Sequence, residues 1–175
     1  GIPDFKLDKQ VVRRRIDLLA EEGITFKTGV NVGMDYPVKE LLADFDAVCL
    51  TCGSTQARDL PVPGRELGGI HLAMEYLTQQ NRVLNGEEID PAERITAQDK
   101  QVVILGGGDT GADCLGTALR QGAKIVFQFE LLPEPPLERL PHNPWPQWPA
   151  VLHLSPAHEE GGIRDYDVST KAFLG

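Results

Sequence analysis

Residues 101–113 read Gln-Val-Val-Ile-Leu-Gly-Gly-Gly-Asp-Thr-Gly-Ala-Asp, and no other stretch constrains the fold as much. A short apolar run, residues 102–105, enters three glycines, and Ala112, Leu115 and Leu119 follow at helical spacing. The pattern predicts strand, turn and helix. Gly106, Gly108 and Gly111 stand in the order G-x-G-x-x-G. Each glycine has a physical task. The first permits the tight turn, the second lets a pyrophosphate approach the backbone, and the third lets the helix pack close on the strand. Free N–H groups and the positive end of the helix dipole then face the phosphates. The alternative reading is a glycine-rich turn that merely joins strand to helix.

Charge narrows the partners. Seventeen Lys and Arg against 26 Asp and Glu give a formal net charge of −9 over 175 residues. Neither a nucleic-acid backbone nor an anionic membrane attracts such a surface. Any anionic ligand must therefore be held locally, by backbone N–H groups or a few arginines. No apolar run reaches the length of a membrane span and no signal segment opens the chain, so the sequence reads as soluble and cytoplasmic. Three cysteines, Cys49, Cys52 and Cys114, are too few and too odd in number for a secreted disulfide framework. The missing initiator Met and the early stop after the phosphate motif read as those of a fragment.

In chain order, Asp8 caps a helix carried by Val12, Ile16 and Leu19 and closed at Gly23. Residues 24–26 read as a short strand, 30–33 as an extended piece, 38–42 as a brief helix and 47–51 as a strand. Pro61, Pro63, Gly64, Gly68 and Gly69 then break the pattern and mark a boundary. Residues 72–84 predict a helix ended by Asn85-Gly86. After the glycine turn, Gly122 closes the next helix and residues 124–129 form a second strand, completing a βαβ unit. Alternating strands and helices predict an α/β fold with a Rossmann-like parallel sheet.

Residues 133–149 hold seven of the thirteen prolines and both tryptophans, Trp145 and Trp148. Proline cannot donate to a ladder, so this is an extended arm, read either as pinned by buried tryptophans or as a docking surface. Residues 151–154 read as a short strand and 167–173 as extended chain.

Other residues carry weaker signals. Cys49 and Cys52 satisfy C-x-x-C, but positions three apart on a strand point to opposite faces, so Cys49 reads as core and no working disulfide is expected. Asp109 and Asp113 sit in the first turn of the cradle helix, where they favour the dipole yet repel a pyrophosphate, and are expected to point away or accept backbone N–H groups. His153, His158, Glu159 and Glu160 read as surface or capping residues, and no metal site is expected. No catalytic residue is named, because at a dinucleotide site the cofactor carries the chemistry. Glu130 stands nineteen residues after Gly111, where an acidic side chain binds the ribose hydroxyls of NAD.

Several blocks together carry a resemblance: Gly1-Ile2-Pro3 with Lys6-Leu7-Asp8-Lys9, Gly29-Val30-Asn31-Val32-Gly33, Cys52-Gly53-Ser54, Gly64-Arg65-Glu66-Leu67-Gly68-Gly69-Ile70, residues 106–114, and Asn143-Pro144-Trp145-Pro146 with Trp148-Pro149. The whole chain resembles the glutamate synthase small (beta) subunit family, within the wider group of flavin-linked NADPH reductases. The resemblance implies two nested dinucleotide-binding domains. Residues 1–65 would be a segment of the FAD-binding domain, and residues 66–175 an NAD(P)H-binding Rossmann-like domain truncated at its C-terminus.

It implies further that NADPH binds at Gly106, Gly107, Gly108, Asp109, Thr110 and Gly111, with Arg139 as the cation for its 2′-phosphate. Glu130, read alone, leans toward NADH. Val32 resembles a position whose backbone meets the FAD adenine. Thr51, Cys52 and Gly53 resemble a strand-end turn that passes the same cofactor, with cysteine where threonine is usual. The FAD fingerprint and a cysteine module for iron-sulfur clusters would lie upstream, and the partner would be the glutamate synthase large (alpha) subunit, with self-association left open. The isolated chain is expected to be inactive and to hold no stable FAD. The competing readings are an electron-input domain like that of dihydropyrimidine dehydrogenase and a non-enzymatic nucleotide-binding or assembly module.

Overall fold

The structure, a computed structural model, describes residues 1–54 and 56–175. The chain divides into two compact units, one of Gly1–Lys6 with Arg58–Gly175 and the other of Leu7–Ala57.

Among its described residues Leu7–Ala57 holds two helices, α1 (Lys9–Glu21) and α2 (Val38–Asp44). Asp8 caps α1 as expected, its carboxylate accepting the Gln10 N–H at 2.8 Å. Gly23, at φ +97°, then turns the chain out of the helix. Neither helix buries a residue.

The strands expected over residues 24–26 and 47–51 are not formed; a single bridge, Val32 to Tyr36, is the β pairing in this unit among the described residues. A strand exists only where a neighbour accepts and donates its backbone hydrogen bonds, and among the described residues these stretches have no such neighbour. Ile24, Phe26, Val48 and Leu50 consequently stand exposed. Cys49, expected in a core, is exposed with Cys52 for the same reason, and both are free thiols.

The larger unit is a three-stranded parallel sheet in the order β1 (Gln101–Leu105), β2 (Ile125–Phe129), β3 (Ile163–Asp165). The predicted βαβ unit is present, with α4 (Asp109–Arg120) crossing from β1 to β2. Seven consecutive residues of α4, from Ala112 to Ala118, are buried. Leu115, Ala118 and Val126 form the centre of the core, with Val102 and Ile104 against them and Ala157 of α5 (Pro156–Glu159) closing one side. Fully burying a side chain such as Leu115 stabilises the fold by about 1.5–3 kcal/mol. On β1 the alternate residues Val103 and Leu105 remain exposed.

The helix α3 (Ala73–Leu84) packs on α4 through the buried Leu77. Gln121 ties them together: its side-chain oxygen accepts from the Tyr76 hydroxyl (2.9 Å) and the Ala97 N–H (2.7 Å), while its amide donates to Gln80 (2.7 Å). Gly116 leaves room at the back of α4 for Phe5, whose ring carries the Arg120 guanidinium 3.7 Å from its centroid.

Between β2 and β3 runs the proline arm. Its tryptophans are not buried as one reading expected, for Trp145 is 81% and Trp148 83% exposed. Polar bonds hold the arm instead. Asn143 accepts the Ala150 N–H at 2.8 Å and donates to the Trp148 carbonyl at 3.0 Å, and Arg139 donates to the carbonyls of Asn143 and Gln147. The strand expected over residues 151–154 is a coil; the Leu152 N–H reaches the Pro136 carbonyl at 2.8 Å without starting a ladder. No helix among the described residues is long and apolar enough to cross a membrane.

Candidate functional site: a glycine cradle at an open cavity

The cradle is built by the junction of β1 and α4. Gly106, at φ +119°, makes a turn that a side chain would strain, and its N–H donates to the Phe129 carbonyl of β2 at 2.8 Å. A Cβ on Gly111 would collide with the Gly106 carbonyl oxygen and lie 2.6 Å from the Gln128 amide nitrogen. The third glycine thus sets how closely α4 approaches the turn. Gly108 is the N-cap of α4, and no side chain caps that end; a Cβ there would meet no described atom within 4 Å. The first N–H groups of α4 therefore open onto space, which suits a phosphate.

That space is a cavity of about 690 Å³. Gly107, Gly108 and Asp109 line it on the cradle side, Glu130 just past the end of β2, Arg164 from β3, and Trp148 from the arm. Its size falls in the range of cofactor sites, about 300–1,000 Å³. Asp109 and Thr110 are exposed at the mouth of the cradle.

Glu130 continues from β2 and turns its carboxylate back over the turn. One oxygen accepts the Gly107 N–H at 2.6 Å and the other the Leu132 N–H at 3.1 Å. The structure thus brings Glu130 to the cradle and leaves Arg139 within the arm, outside the cavity lining. Val32, Thr51, Cys52 and Gly53 are exposed in the Leu7–Ala57 unit.

Beneath the turn lies a chain of polar groups that sequence reasoning missed. Gln128, only 1% exposed, donates its amide to the Gly106 carbonyl at 2.8 Å, and its oxygen meets His158 Nε2 at 2.9 Å. His158 Nδ1 accepts the Ser155 N–H at 3.2 Å, which leaves the proton on Nε2 to donate to Gln128. His158 is thus a capping residue of α5, as expected, and also a support for the cradle. Burial, then the positive charges of Arg164 and Lys6, hold its pKa below the ordinary value, so the neutral ring is favoured. One signal was available for Gln128: it is the polar residue in an otherwise apolar strand, Ile-Val-Phe-Gln-Phe, on the inward alternation.

Asp113, expected to point away or to accept backbone N–H groups, lies 2.7 Å from the Lys6 ammonium with its carboxylate nearly buried. Next to it Cys114 is inert, its thiol pushed up to about 12 by burial and by the Asp113 charge. Among the described residues no group of three or more His, Cys, Asp or Glu side chains gathers as a metal site.

A parallel sheet crossed by α4, with an open glycine turn at its carboxyl edge, defines the Rossmann-like α/β class. No family model matches the chain. Over its whole length, however, it is homologous to a segment of the glutamate synthase small chain: it is 53% identical over 178 residues to the glutamate synthase [NADPH] small chain of Mycobacterium tuberculosis (strain ATCC 25618 / H37Rv) and 44% identical over 176 residues to that of Bacillus subtilis (strain 168). These matches cover 100% and 97% of this chain and 36% of each relative. It is also 48% identical over 181 residues to the glutamate synthase [NADH] of Schizosaccharomyces pombe, covering 99% of this chain and 9% of that protein.

Proposed function

We propose that the chain is the nucleotide-binding part of the electron-input subunit of a glutamate synthase. Residues 66–175 bind NADPH and residues 1–65 are a segment of the FAD-binding domain. In the whole subunit, hydride passes from NADPH to FAD, and electrons continue through iron-sulfur clusters to a large subunit that forms glutamate from glutamine and 2-oxoglutarate. The observation that carries this reading is the uncapped α4 N-terminus at Gly108, which opens onto the cavity of about 690 Å³. The M. tuberculosis and B. subtilis small chains, named for NADPH, support the choice of nucleotide.

One observation favours a second reading, NADH. The Glu130 carboxylate lies on the Gly107 N–H, where it suits a ribose diol and opposes a 2′-phosphate. The S. pombe relative is named for NADH.

Anaerobic addition of NADPH to the full-length protein should bleach its flavin absorbance. A flavin untouched by NADPH and reduced by NADH would establish the second reading, and one untouched by both would overturn the proposal.

A further inference from the structure

A chain of net charge −9 that binds a dinucleotide phosphate has few cations to spend on it, so the position of each matters. Among the described residues, the Lys and Arg side chains lining the cavity are Lys6 and Arg164. They reach it from separate elements.

Lys6 ends the N-terminal stretch Gly1–Lys6 that belongs to the same unit as the sheet. Its ammonium is 2.7 Å from Asp113, one turn into α4, and its side chain is 29% exposed. An ammonium carries three donors, and Asp113 occupies one direction. The carboxylate thus fixes Lys6 beside the helix end while donors remain for an anion.

Arg164 is the middle residue of β3 and pairs in register with Gln128. In-register neighbours share a sheet face, so Arg164 lies on the face where Gln128 supports the cradle. Its guanidinium lies 5.7 Å from the ring centroid of Tyr166, two residues toward the carboxyl end of the sheet, where α/β ligands bind. It forms no ion pair among the described residues. Arg139, by contrast, is committed to two carbonyls of its own arm at 3.1 and 3.0 Å.

We propose that Lys6 and Arg164 are the side-chain phosphate ligands of this cavity, Lys6 for the pyrophosphate and Arg164 for the 2′-phosphate of NADPH. The proposal rests on the nucleotide reading above. It also places a cation in the cavity that the Glu130 carboxylate lines. The pKa of His158, depressed first by burial and then by the charges of Arg164 and Lys6, agrees with two positive groups near the same wall.

The test is titration of NADPH and NADH, by nicotinamide fluorescence, against the full-length protein and its Lys6→Gln, Arg164→Gln and Arg164→Lys variants. A lost charge-assisted contact should weaken NADPH about tenfold or more in Arg164→Gln, with NADH within about twofold and part of the loss restored in Arg164→Lys. Lys6→Gln should weaken both nucleotides by a similar factor, about fivefold or more. Equal effects of Arg164→Gln on the two nucleotides, or none, would overturn the role of Arg164; unchanged affinities in Lys6→Gln would overturn that of Lys6. Should Arg164→Gln not fold, the wild-type protein decides the matter: the NADPH-to-NADH affinity ratio should fall with added salt, and a flat ratio contradicts the extra phosphate contact. A wild type that binds neither nucleotide defeats the functional reading itself, which is a separate result.

Discussion

The helices α1 and α4 are of nearly equal length, 13 and 12 residues, and both carry apolar residues at helical spacing, yet α4 buries seven residues and α1 none. Leu115 is fully buried, whereas Ile16 and Leu18 are 44% and 42% exposed. The difference lies in what each helix meets inside its own unit. α4 crosses a sheet whose inward residues, Val102, Ile104 and Val126, complete its apolar face. The Leu7–Ala57 unit has no sheet to offer among its described residues. Periodicity therefore specifies a helix and its apolar face, and a partner surface decides whether burying that face stabilises anything.

The comparison breaks most visibly under truncation. Leu115→Ala should cost ~2–5 kcal/mol of unfolding free energy, since it removes a fully buried side chain from a closed core. The same change at Ile16 should cost no more than about 1 kcal/mol, as expected for a half-exposed side chain. Urea unfolding of the two variants measures both. Similar losses would mean that α1 has a packing partner of its own.

A smaller effect tests the polar floor of the cradle. Because the folded state holds His158 below its ordinary pKa of 6.5, the unfolded chain takes up that proton first as pH falls. The stability contributed by neutral His158 is present above pH 6.5, is lost as pH falls through that value, and levels off below the folded pKa. The positive charges of Lys6 and Arg164 act on the ring and favour its neutral form. Unfolding free energies between pH 7.5 and 5.5 should therefore fall more steeply in wild type than in His158→Gln. Parallel curves would mean that the ring gains its proton with no loss at the cradle.

The two regions also differ in how far sequence could describe them. Around the cradle, local signals and tertiary structure agree: the glycines, the βαβ spacing and the return of Glu130 to the turn all follow from short-range pattern. β3 and α5 escaped notice because they are three and four residues long, too short to show a period. Arg164 and Lys6 escaped because their contribution depends on elements far apart in the chain. The apolar runs at residues 24–26 and 47–51 misled in the opposite sense, since strand propensity yields no ladder without a neighbour. Trp145 and Trp148 misled similarly: large aromatics usually mark a core, but here Asn143 and Arg139 hold the arm and both tryptophans stay largely exposed.

The central claim is that the open end of α4 at Gly108 receives the phosphates of a pyridine nucleotide. Gly108→Asp tests it most directly, because the new side chain enters open space at an ordinary backbone angle of φ −76° and leaves the core untouched. In titrations of NADPH followed by nicotinamide fluorescence, the wild-type protein should bind saturably. The variant, with a carboxylate where the pyrophosphate belongs, should bind about 100-fold more weakly, ~2.7 kcal/mol, with no loss of melting temperature, since Asp at an N-cap stabilises a helix. Equal affinity in the two proteins would contradict the account.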